Sequence, residues 1–199
     1  MTDFPLDFPT GIKIKSGTPR LMRLDATSSD PYTFKQQVYS WPGAKWVWDF
    51  EITPLTEDDG AEMRGFILAL EGQAGSFMLG PRDAKAPRGT ATAATVNGAV
   101  AERARVMNVD GMGAGKTLKR GDYFQLGNHL HMLRFDATAN GGGAATLYFD
   151  PPAREAIADN TPLILNDAKG IWKLTASDTG WTVTAGPIYQ ISITCEEKL

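Results

Sequence analysis

The sequence has few of the residues that build disulfide-linked or metal-bound scaffolds. Its 199 residues contain one cysteine, Cys195, and two histidines, His129 and His131. A single cysteine excludes an internal disulfide and a zinc site made of cysteine thiolates. Apolar side chains make up 42% of the chain, and a chain of this length is able to bury a sizeable core. The composition therefore predicts a globular protein that depends on its apolar core.

Long hydrophobic runs and an excess of positive charge are also absent. No run approaches the roughly 18 apolar residues that span a bilayer, so no membrane span is predicted. Residues 1–15 are acidic before they are basic and contain no apolar block, which is not the pattern of a secretory signal. The formal net charge of −3 argues against general nucleic-acid binding. One thiol is compatible with synthesis in the cytoplasm.

Abundant glycine and proline, with many short alternating runs, predict a mainly β fold. The clearest strand is residues 45–53, in which four large apolar side chains share one face: Trp46, Trp48, Phe50 and Ile52. Such alternation indicates a sheet with one buried face and one wet face. Residues 33–41 alternate less sharply, and we expect them to be the hairpin partner, with the turn at Pro42-Gly43.

One segment has helical periodicity instead, and its apolar stripe consists of Met63, Phe66, Ile67 and Leu70. We expect a helix over about residues 56–71. Thr56 is the predicted N-cap, with Asp59 three residues on as in a capping box. Gly72 is placed to end the helix. The fold class is therefore α+β, with one helix and a short strand in GSFMLG after it.

Residues 82–166 differ from the preceding residues in sequence pattern and are predicted to form an inserted β-rich subdomain. A proline-rich, charged connection, residues 81–89, leads into them. Asn97-Gly98 lies between two alternating arms and predicts a two-residue hairpin. Three strands follow, with turns at residues 126–128 and 140–143. A small antiparallel barrel or a sandwich would fit this segment equally well.

The end of the chain has the same alternating pattern as the N-terminal segment. Two runs on either side of residues 178–180 predict a hairpin, and residues 188–197 alternate well enough for a strand. The N-terminal sheet is the expected host for that last strand. Residues 1–81 and 167–199 are thus predicted to form one antiparallel β-sandwich domain, interrupted by the insertion. A continuous two-domain chain is the alternative.

The segment GAGKT resembles a phosphate-binding loop around Lys116 and Thr117, but its surroundings argue against that function. The first glycine of such a loop would fall at residue 110, which is Asp110. Gly121 interrupts any following helix, so no helix N-terminus would supply amides to a phosphate. A glycine-rich turn before a strand is the favoured interpretation.

Other candidate sites are equally incomplete. His129 and His131 would share a strand face, and Asp122 or Asp136 could complete a metal site, yet no spacing requires one. Ordinary polar residues on a strand face are the favoured interpretation of the two histidines. Cys195 lies on an apolar strand face without an activating base. The acidic cluster at the helix start, namely Glu57, Asp58 and Asp59, is explained by the helix dipole. We therefore predict no enzymatic activity, no cofactor and no metal.

The tryptophans divide into two groups. Trp46 and Trp48 are predicted core residues, because they lie on the apolar face of their strand. Trp41, Trp172 and Trp181 lie at strand ends or in the terminal hairpin, and their environment is left open. Exposed aromatic rings of this kind stack on sugars or bury against a partner.

The order of these elements and two stretches of sequence resemble a known family. The stretches are WDFEITPLTEDDGAEMRGFILALEGQAGSFMLG, residues 48–80, and LKRGDYFQLGNHLHMLRFDATANGGGAATLYFDPPAR, residues 118–154. Together with the insertion and the final strand pair, they resemble the distal tail proteins and related minor tail-tip proteins of long-tailed, siphovirus-type bacteriophages. The resemblance implies a structural virion protein that forms a ring, usually of six copies, between the tail tube protein and the hub or baseplate. It places the protein in the virion tail, after synthesis in the cytoplasm of the host bacterium.

Two further expectations follow. Residues 1–15 are extended and are predicted to pair with another subunit or another tail protein. The alternative function is a carbohydrate-binding β-sandwich for attachment to the host surface, with Trp172 or Trp181 in the sugar platform.

Overall fold

The computed structural model describes residues 3–82, 85–184, 186 and 188–199. Within these residues the chain is mainly β with one helix, α1 (Glu57–Ala69), so the predicted fold class is confirmed. The strands of the first two thirds are β1 (Leu6–Asp7), β2 (Ile14–Ser29), β3 (Gln36–Ile52), β4 (Phe77–Leu79), β5 (Ala94–Val96), β6 (Val106–Asp110), β7 (Thr117–Leu118), β8 (Tyr123–Leu126) and β9 (His129–Leu133). The remaining strands are β10 (Ala137–Thr138), β11 (Ala145–Asp150), β12 (Pro162–Leu163), β13 (Gly170–Leu174), β14 (Thr182–Thr184), β15 (Ile188–Gln190) and β16 (Ser192–Glu197).

The first sheet has six strands in the order β1-β4-β13-β16-β3-β2. The last strand, β16, joins it as predicted, antiparallel to both β3 and β13, with Cys195 opposite Trp48. The alternating apolar side chains of β3 and β16 lie on the inner face, which confirms the predicted buried face. That face and α1 enclose one hydrophobic core.

Helix α1 is held over the sheet by its apolar stripe. Met63 is fully buried, and the ring centroids of Phe66 and Phe77 lie 5.6 Å apart. The capping-box expectation is wrong in detail, because the Thr56 hydroxyl lies 3.4 Å from the Asp59 carboxylate and no side chain caps a backbone amide. The chain leaves the helix at Glu71 and Gly72, whose positive φ angles reverse its direction.

The second large sheet, in the order β12-β5-β6-β11-β9-β8, curls into a nearly closed barrel. Its two edge strands meet where Gln125 and Ile164 exchange backbone hydrogen bonds of 2.8 and 3.0 Å. A separate hydrophobic core fills it. All strands of this barrel lie between residues 94 and 163, whereas the first sheet draws its strands from residues 6–79 and 170–197. Residues 83 and 84 of the expected connection lie outside the described residues.

The barrel packs directly against the first sheet. The Trp46 indole donates to the Leu130 carbonyl at 2.9 Å, and the Leu130 side chain belongs to the core of the first sheet. The Ile171 amide donates to the Asn128 carbonyl, also at 2.9 Å. The turn between β8 and β9 and the start of β9 are therefore one of the places at which the two units are joined.

Two predicted hairpins are wrong, because the strands that were expected to pair with each other pair with other strands. Asn97-Gly98 does not close a two-residue turn; nine residues separate β5 from β6, and Val100 in that connection bridges to Ile157. In the C-terminal region, β13 pairs with β4 and β16, while β14 pairs with β15. Alternation identifies a strand and its faces, but the partner is chosen by tertiary contacts.

The predicted turn at Pro42-Gly43 is also wrong. Both residues lie inside β3, which runs from Gln36 to Ile52 and pairs with β2. The register shifts at this point, because Arg23 is opposite Ala44 and Asp25 is opposite Ser40. Proline lacks an amide hydrogen for the ladder and is tolerated at such irregularities.

Residues 3–15 pack on their own domain, which corrects the expectation that residues 1–15 lie on a neighbour; residues 1 and 2 lie outside the described residues. Strand β1 pairs in parallel with β4, through Leu6 opposite Phe77. The Phe8 ring lies 5.5 Å from that of Phe66, and Ile12 is buried in the same core. Apolar residues at alternate positions of this segment complete the core of the first sheet.

Two adjacent core tryptophans allow a test of buried hydrogen bonding. Their rings lie 5.5 Å apart, and Trp172 donates to the Leu79 carbonyl at 2.8 Å. The buried Trp48 indole nitrogen has no hydrogen-bond partner among the described residues. Trp172→Phe is expected to lower the free energy of unfolding by about 1–3 kcal/mol more than Trp48→Phe, because only Trp172→Phe orphans a buried carbonyl. Urea unfolding of both variants measures the difference, and equal losses would contradict this reasoning.

Candidate protein interface

The glycine-rich segment before Lys116 is a turn. Gly113 and Gly115 have φ angles of 87° and 68°, and the Lys116 amide donates to the Gly113 carbonyl at 3.2 Å. Thr117–Leu118 then forms β7, which pairs with β10. No helix begins after this turn, so the amides that a phosphate loop requires are not presented. The interpretation of GAGKT as a turn before a strand is confirmed.

The two histidines lie on β9 but have separate partners. His131 is buried in the barrel core between two phenylalanine rings, and its Nδ1 donates to the Pro151 carbonyl at 2.8 Å. Burial lowers the pKa of His131 to about 4. His129 Nδ1 lies 3.1 Å from the Glu197 carboxylate. His131 is therefore a neutral core residue rather than an ordinary polar residue on a strand face.

The carboxylates considered as further metal ligands are occupied by other groups. Asp122 accepts the backbone amides of Gly89 and Lys119, and Asp136 accepts that of Arg120 at 2.8 Å. In residues 3–82, 85–184, 186 and 188–199, no cluster of three or more histidine, cysteine, aspartate or glutamate side chains is arranged to hold a metal ion. Within the same residues, no helix is both long and apolar enough to cross a membrane.

Cys195 and the acidic cluster have structural roles. Cys195 is completely buried on the inner face of the first sheet, and burial raises the pKa of its thiol, which is the behaviour of a small apolar residue. The acidic side chains occupy the first turn of α1, where the positive end of the helix dipole favours them: Glu57, Asp58 and Asp59.

The three tryptophans left open have three different environments. Trp172 is 1% exposed and belongs to the core, so its proposed role in a sugar platform is wrong. Trp181 is 38% exposed, and the Arg64 guanidinium lies 5.9 Å from its ring centroid. Trp41 is 54% exposed, and it lies on the most prominent surface feature of the molecule.

That feature is a two-stranded hairpin, which we call the arm and define as residues 22–43. Every residue of the arm is exposed. Strand β16 pairs with β3 only up to Val47, so the arm continues beyond the sheet as β2 and β3 alone. Among the described strands, neither has a partner on its outer side there. The arm thus presents two free edges, which are able to pair with another chain.

One face of the arm is apolar. Ala26 and Tyr39 are paired across the two strands and so share a face. Leu24 and Trp41, two residues along from them, belong to the same face by strand alternation. Leu24 is 69% exposed, which is a large exposed fraction for a leucine side chain. No described residue of its own chain covers this face. Exposed apolar patches are typical of protein interaction sites, so this face is a candidate interface.

The base of the arm is anchored to the barrel through Asp150. This carboxylate, on a side chain 6% exposed, lies 2.6 Å from Arg23 of the arm and 2.7 Å from Arg105. Arg105 also donates to the Pro42 carbonyl of the arm at 2.6 Å. Arg134 contacts the same carboxylate at 3.5 Å. The base of the arm is therefore held by ionic contacts around one buried carboxylate, which orient the arm before any partner binds.

The sequence contains a signal for the arm in residues 22–27, before the strands predicted from residue 33 onward. Apolar and polar residues alternate along β2, in the order Met22, Arg23, Leu24, Asp25, Ala26 and Thr27. This signal identifies a strand with one apolar face. It does not reveal that the apolar face lacks cover within the chain.

No family model matches the chain, and no curated protein sequence matches it at a significant level.

Proposed function

We propose that this protein is a structural component of the tail tip of a long-tailed bacteriophage, where its copies form a ring between the tail tube and the hub or baseplate. The observation that carries the proposal is the arm, in which a long hairpin exposes an apolar face and two free edges. A monomeric protein rarely maintains such a surface, because it favours aggregation unless another chain covers it. The resemblance of residues 48–80 and 118–154 to tail-tip proteins implies which assembly this is, namely a ring of six copies in the tail of the virion.

A ring requires each copy to contact its neighbour through two different surfaces. The arm supports this arrangement because its apolar face is exposed on a hairpin that extends beyond the sheet, where another copy is able to cover it. The residues considered for catalysis or ligand binding support the same role. Lys116 lies in a turn before a strand, and His131 and Cys195 are buried. The proposed role is therefore non-enzymatic.

Leu24→Asp is expected to weaken self-association about tenfold or more, because it places a charge on the apolar face that the neighbour covers. Light scattering of the purified protein over a range of concentrations measures this change, and electron micrographs of the wild type should show rings. The thermal midpoint of the isolated chain should stay the same, because Leu24 is outside both hydrophobic cores.

Thr27→Asp is the matched control, since Thr27 lies on the same strand but faces the opposite side, paired with Val38. It should leave association almost unchanged. A wild-type protein that stays monomeric at every concentration, without rings, would overturn the proposal. Glycan binding that is lost in Trp181→Ala, with no self-association, would instead favour the carbohydrate-binding alternative.

A further inference from the structure

The tip of the arm, residues 30–35, displays two aromatic side chains in an ordered turn. The Asp30 carboxylate accepts hydrogen bonds from the Tyr32 amide at 2.9 Å and from the Thr33 hydroxyl at 2.6 Å. A backbone hydrogen bond of 2.9 Å from the Asp30 amide to the Lys35 carbonyl closes the turn. Tyr32 is 92% exposed and Phe34 is 82% exposed. Their rings therefore contact almost nothing in their own chain.

The backbone of the tip is strained at Phe34. This residue has a φ angle of 54°, in the left-handed region that residues other than glycine and asparagine rarely adopt. Strain of this kind persists where the surrounding hydrogen bonds enforce it, and it is concentrated at sites of function. The turn thus orders the backbone that carries the two aromatic residues, which lowers the entropic cost of fixing this segment on a partner.

A second apolar surface lies on the barrel, and we call it the barrel patch: Val106, Arg134, Phe135 and Tyr148. The Phe135 and Tyr148 rings meet edge to face with their centroids 5.7 Å apart, and Tyr148 is opposite Val106 on the neighbouring strand. The Arg134 guanidinium lies 5.6 Å from the Phe135 centroid. Tyrosine and arginine beside exposed apolar groups are the composition of an interaction hot spot.

The tip and the barrel patch of one chain are too far apart to meet. The patch adjoins the base of the arm, because Arg134 contacts both Phe135 and the Asp150 carboxylate that holds Arg23. From Arg23 to the tip, the strand extends about 20 Å at the usual rise of about 3.3 Å per residue. Contacts between the two surfaces therefore require two copies, and each copy then offers one surface at either end of its arm.

The base of the arm and its outer part differ in net charge, although the tip itself carries one carboxylate, Asp30, and one ammonium group, Lys35. At the base, three guanidinium groups surround one carboxylate, so positive charge is in excess: Arg23, Arg105 and Arg134 around Asp150. The outer part of the arm, residues 24–41, carries two carboxylates, Asp25 and Asp30, and one ammonium group, Lys35. Opposite charges of this kind orient two copies as they approach.

We propose that the tip of the arm of one copy, through Tyr32 and Phe34, docks on the barrel patch of the next copy. This inference rests on the proposed function and specifies its contact. Aromatic rings meet aromatic rings, and the outer arm, which has one more carboxylate than ammonium groups, approaches the arginine-rich base. Because the contact joins different surfaces, it repeats head to tail, as a ring requires. The length of the arm then sets the spacing between neighbouring copies.

The test is a disulfide cross-link between two single-cysteine additions, Phe34→Cys and Tyr148→Cys. The native Cys195 is buried and does not interfere. Mixed in equal amounts with a mild oxidant, the two variants should form a dimer that a reducing agent dissociates, and the double variant should form a ladder of higher oligomers. Phe34→Cys mixed with Ile164→Cys is the matched control, because Ile164 is 45% exposed but lies at the seam where the two edge strands of the barrel meet.

The outcomes separate this inference from the proposed function. A cross-link with Tyr148→Cys that is at least about tenfold more abundant than with Ile164→Cys supports the contact. Equal or absent cross-linking of the cysteine variants, together with rings in the wild-type protein, would overturn the contact and leave the ring intact. Dimers of Phe34→Cys alone would show that two arms pair tip to tip, which also overturns it. Absence of both rings and cross-links would refute the contact together with the proposed function.

Discussion

Glu197→Ala is expected to lower the free energy of unfolding by about 3–5 kcal/mol, because it leaves a buried charge without its partner. Glu197 is 2% exposed and accepts hydrogen bonds from the Arg154 guanidinium, from His129 and from the Trp46 amide. The Arg154 side chain is only 13% exposed. Without the carboxylate, this guanidinium loses its counter-charge in a site that water scarcely reaches. Urea unfolding of the isolated chain measures the loss.

Glu196→Ala is the matched control for this prediction. Glu196 is the adjacent residue of β16, and it forms more accessible ion pairs with Lys45 and with Lys173, the latter at 3.2 Å. Its removal is expected to cost about 1 kcal/mol or less, as for other ion pairs that remain open to solvent. Equal losses for the two variants would show that the Glu197 cluster is no more important than a surface pair.

The pH dependence of the Glu197 contribution has a defined sign. Burial alone would raise the pKa of Glu197, but hydrogen bonds from His129 and Arg154 outweigh it, and the net pKa lies below the ordinary value of 4.5. The ionised carboxylate therefore stabilises the folded state at pH values above 4.5, the ordinary pKa. This stability is lost as the pH falls through the lower pKa of the folded state.

Wild-type stability is expected to fall by about 3 kcal/mol as the pH decreases from 6.5 to about 4, through the protonation of one histidine. Burial lowers the pKa of His131 from 6.5 to about 4. Below pH 6.5 the unfolded chain binds a proton at this imidazole that the folded chain does not bind. The contribution of neutral His131 is thus complete above pH 6.5 and decreases as acid is added. Urea midpoints at several pH values measure the slope.

His131→Phe should remove most of this slope between pH 4.5 and 6.5, the window in which the lowered pKa of Glu197 has little effect. Phenylalanine fits the aromatic surroundings of Phe124 and Phe149. It also orphans the Pro151 carbonyl, which lowers stability by about 1 kcal/mol at every pH. A wild-type curve that is flat over this window, or a variant with the same slope, would contradict the assignment of the proton to His131.

The two alternating strands of the first sheet were predictable because their patterns are long. Trp48 on β3 and Cys195 on β16 lie on the predicted faces, and the helical stripe around Met63 indicated α1 within about two residues. The hairpins were not predictable in the same way. Pro42-Gly43 and Asn97-Gly98 are typical turn dipeptides, yet one lies inside a strand and the other in a longer connection.

The candidate interface was less accessible to sequence reasoning than the fold. The alternation from Met22 to Thr27 indicates a strand with one apolar face, and the same pattern would describe a buried strand. Trp172 and Trp41 both lie in strands, but one is 1% exposed and the other 54%. Whether an aromatic side chain is covered depends on neighbours that are distant in the chain. The arm and the barrel patch became candidates only when the uncovered surfaces were known.

The order of residues by itself determined the class of fold, the single helix within the described residues, and the faces of the best patterned strands, because side-chain periodicity depends only on local backbone geometry. The failure of GAGKT as a phosphate site was equally local, since no helix follows Thr117. Tertiary structure alone decided which strands pair, that the second sheet closes at Gln125 and Ile164, and that the arm extends beyond the core. These outcomes depend on competition among contacts between distant segments, which short-range periodicity does not record.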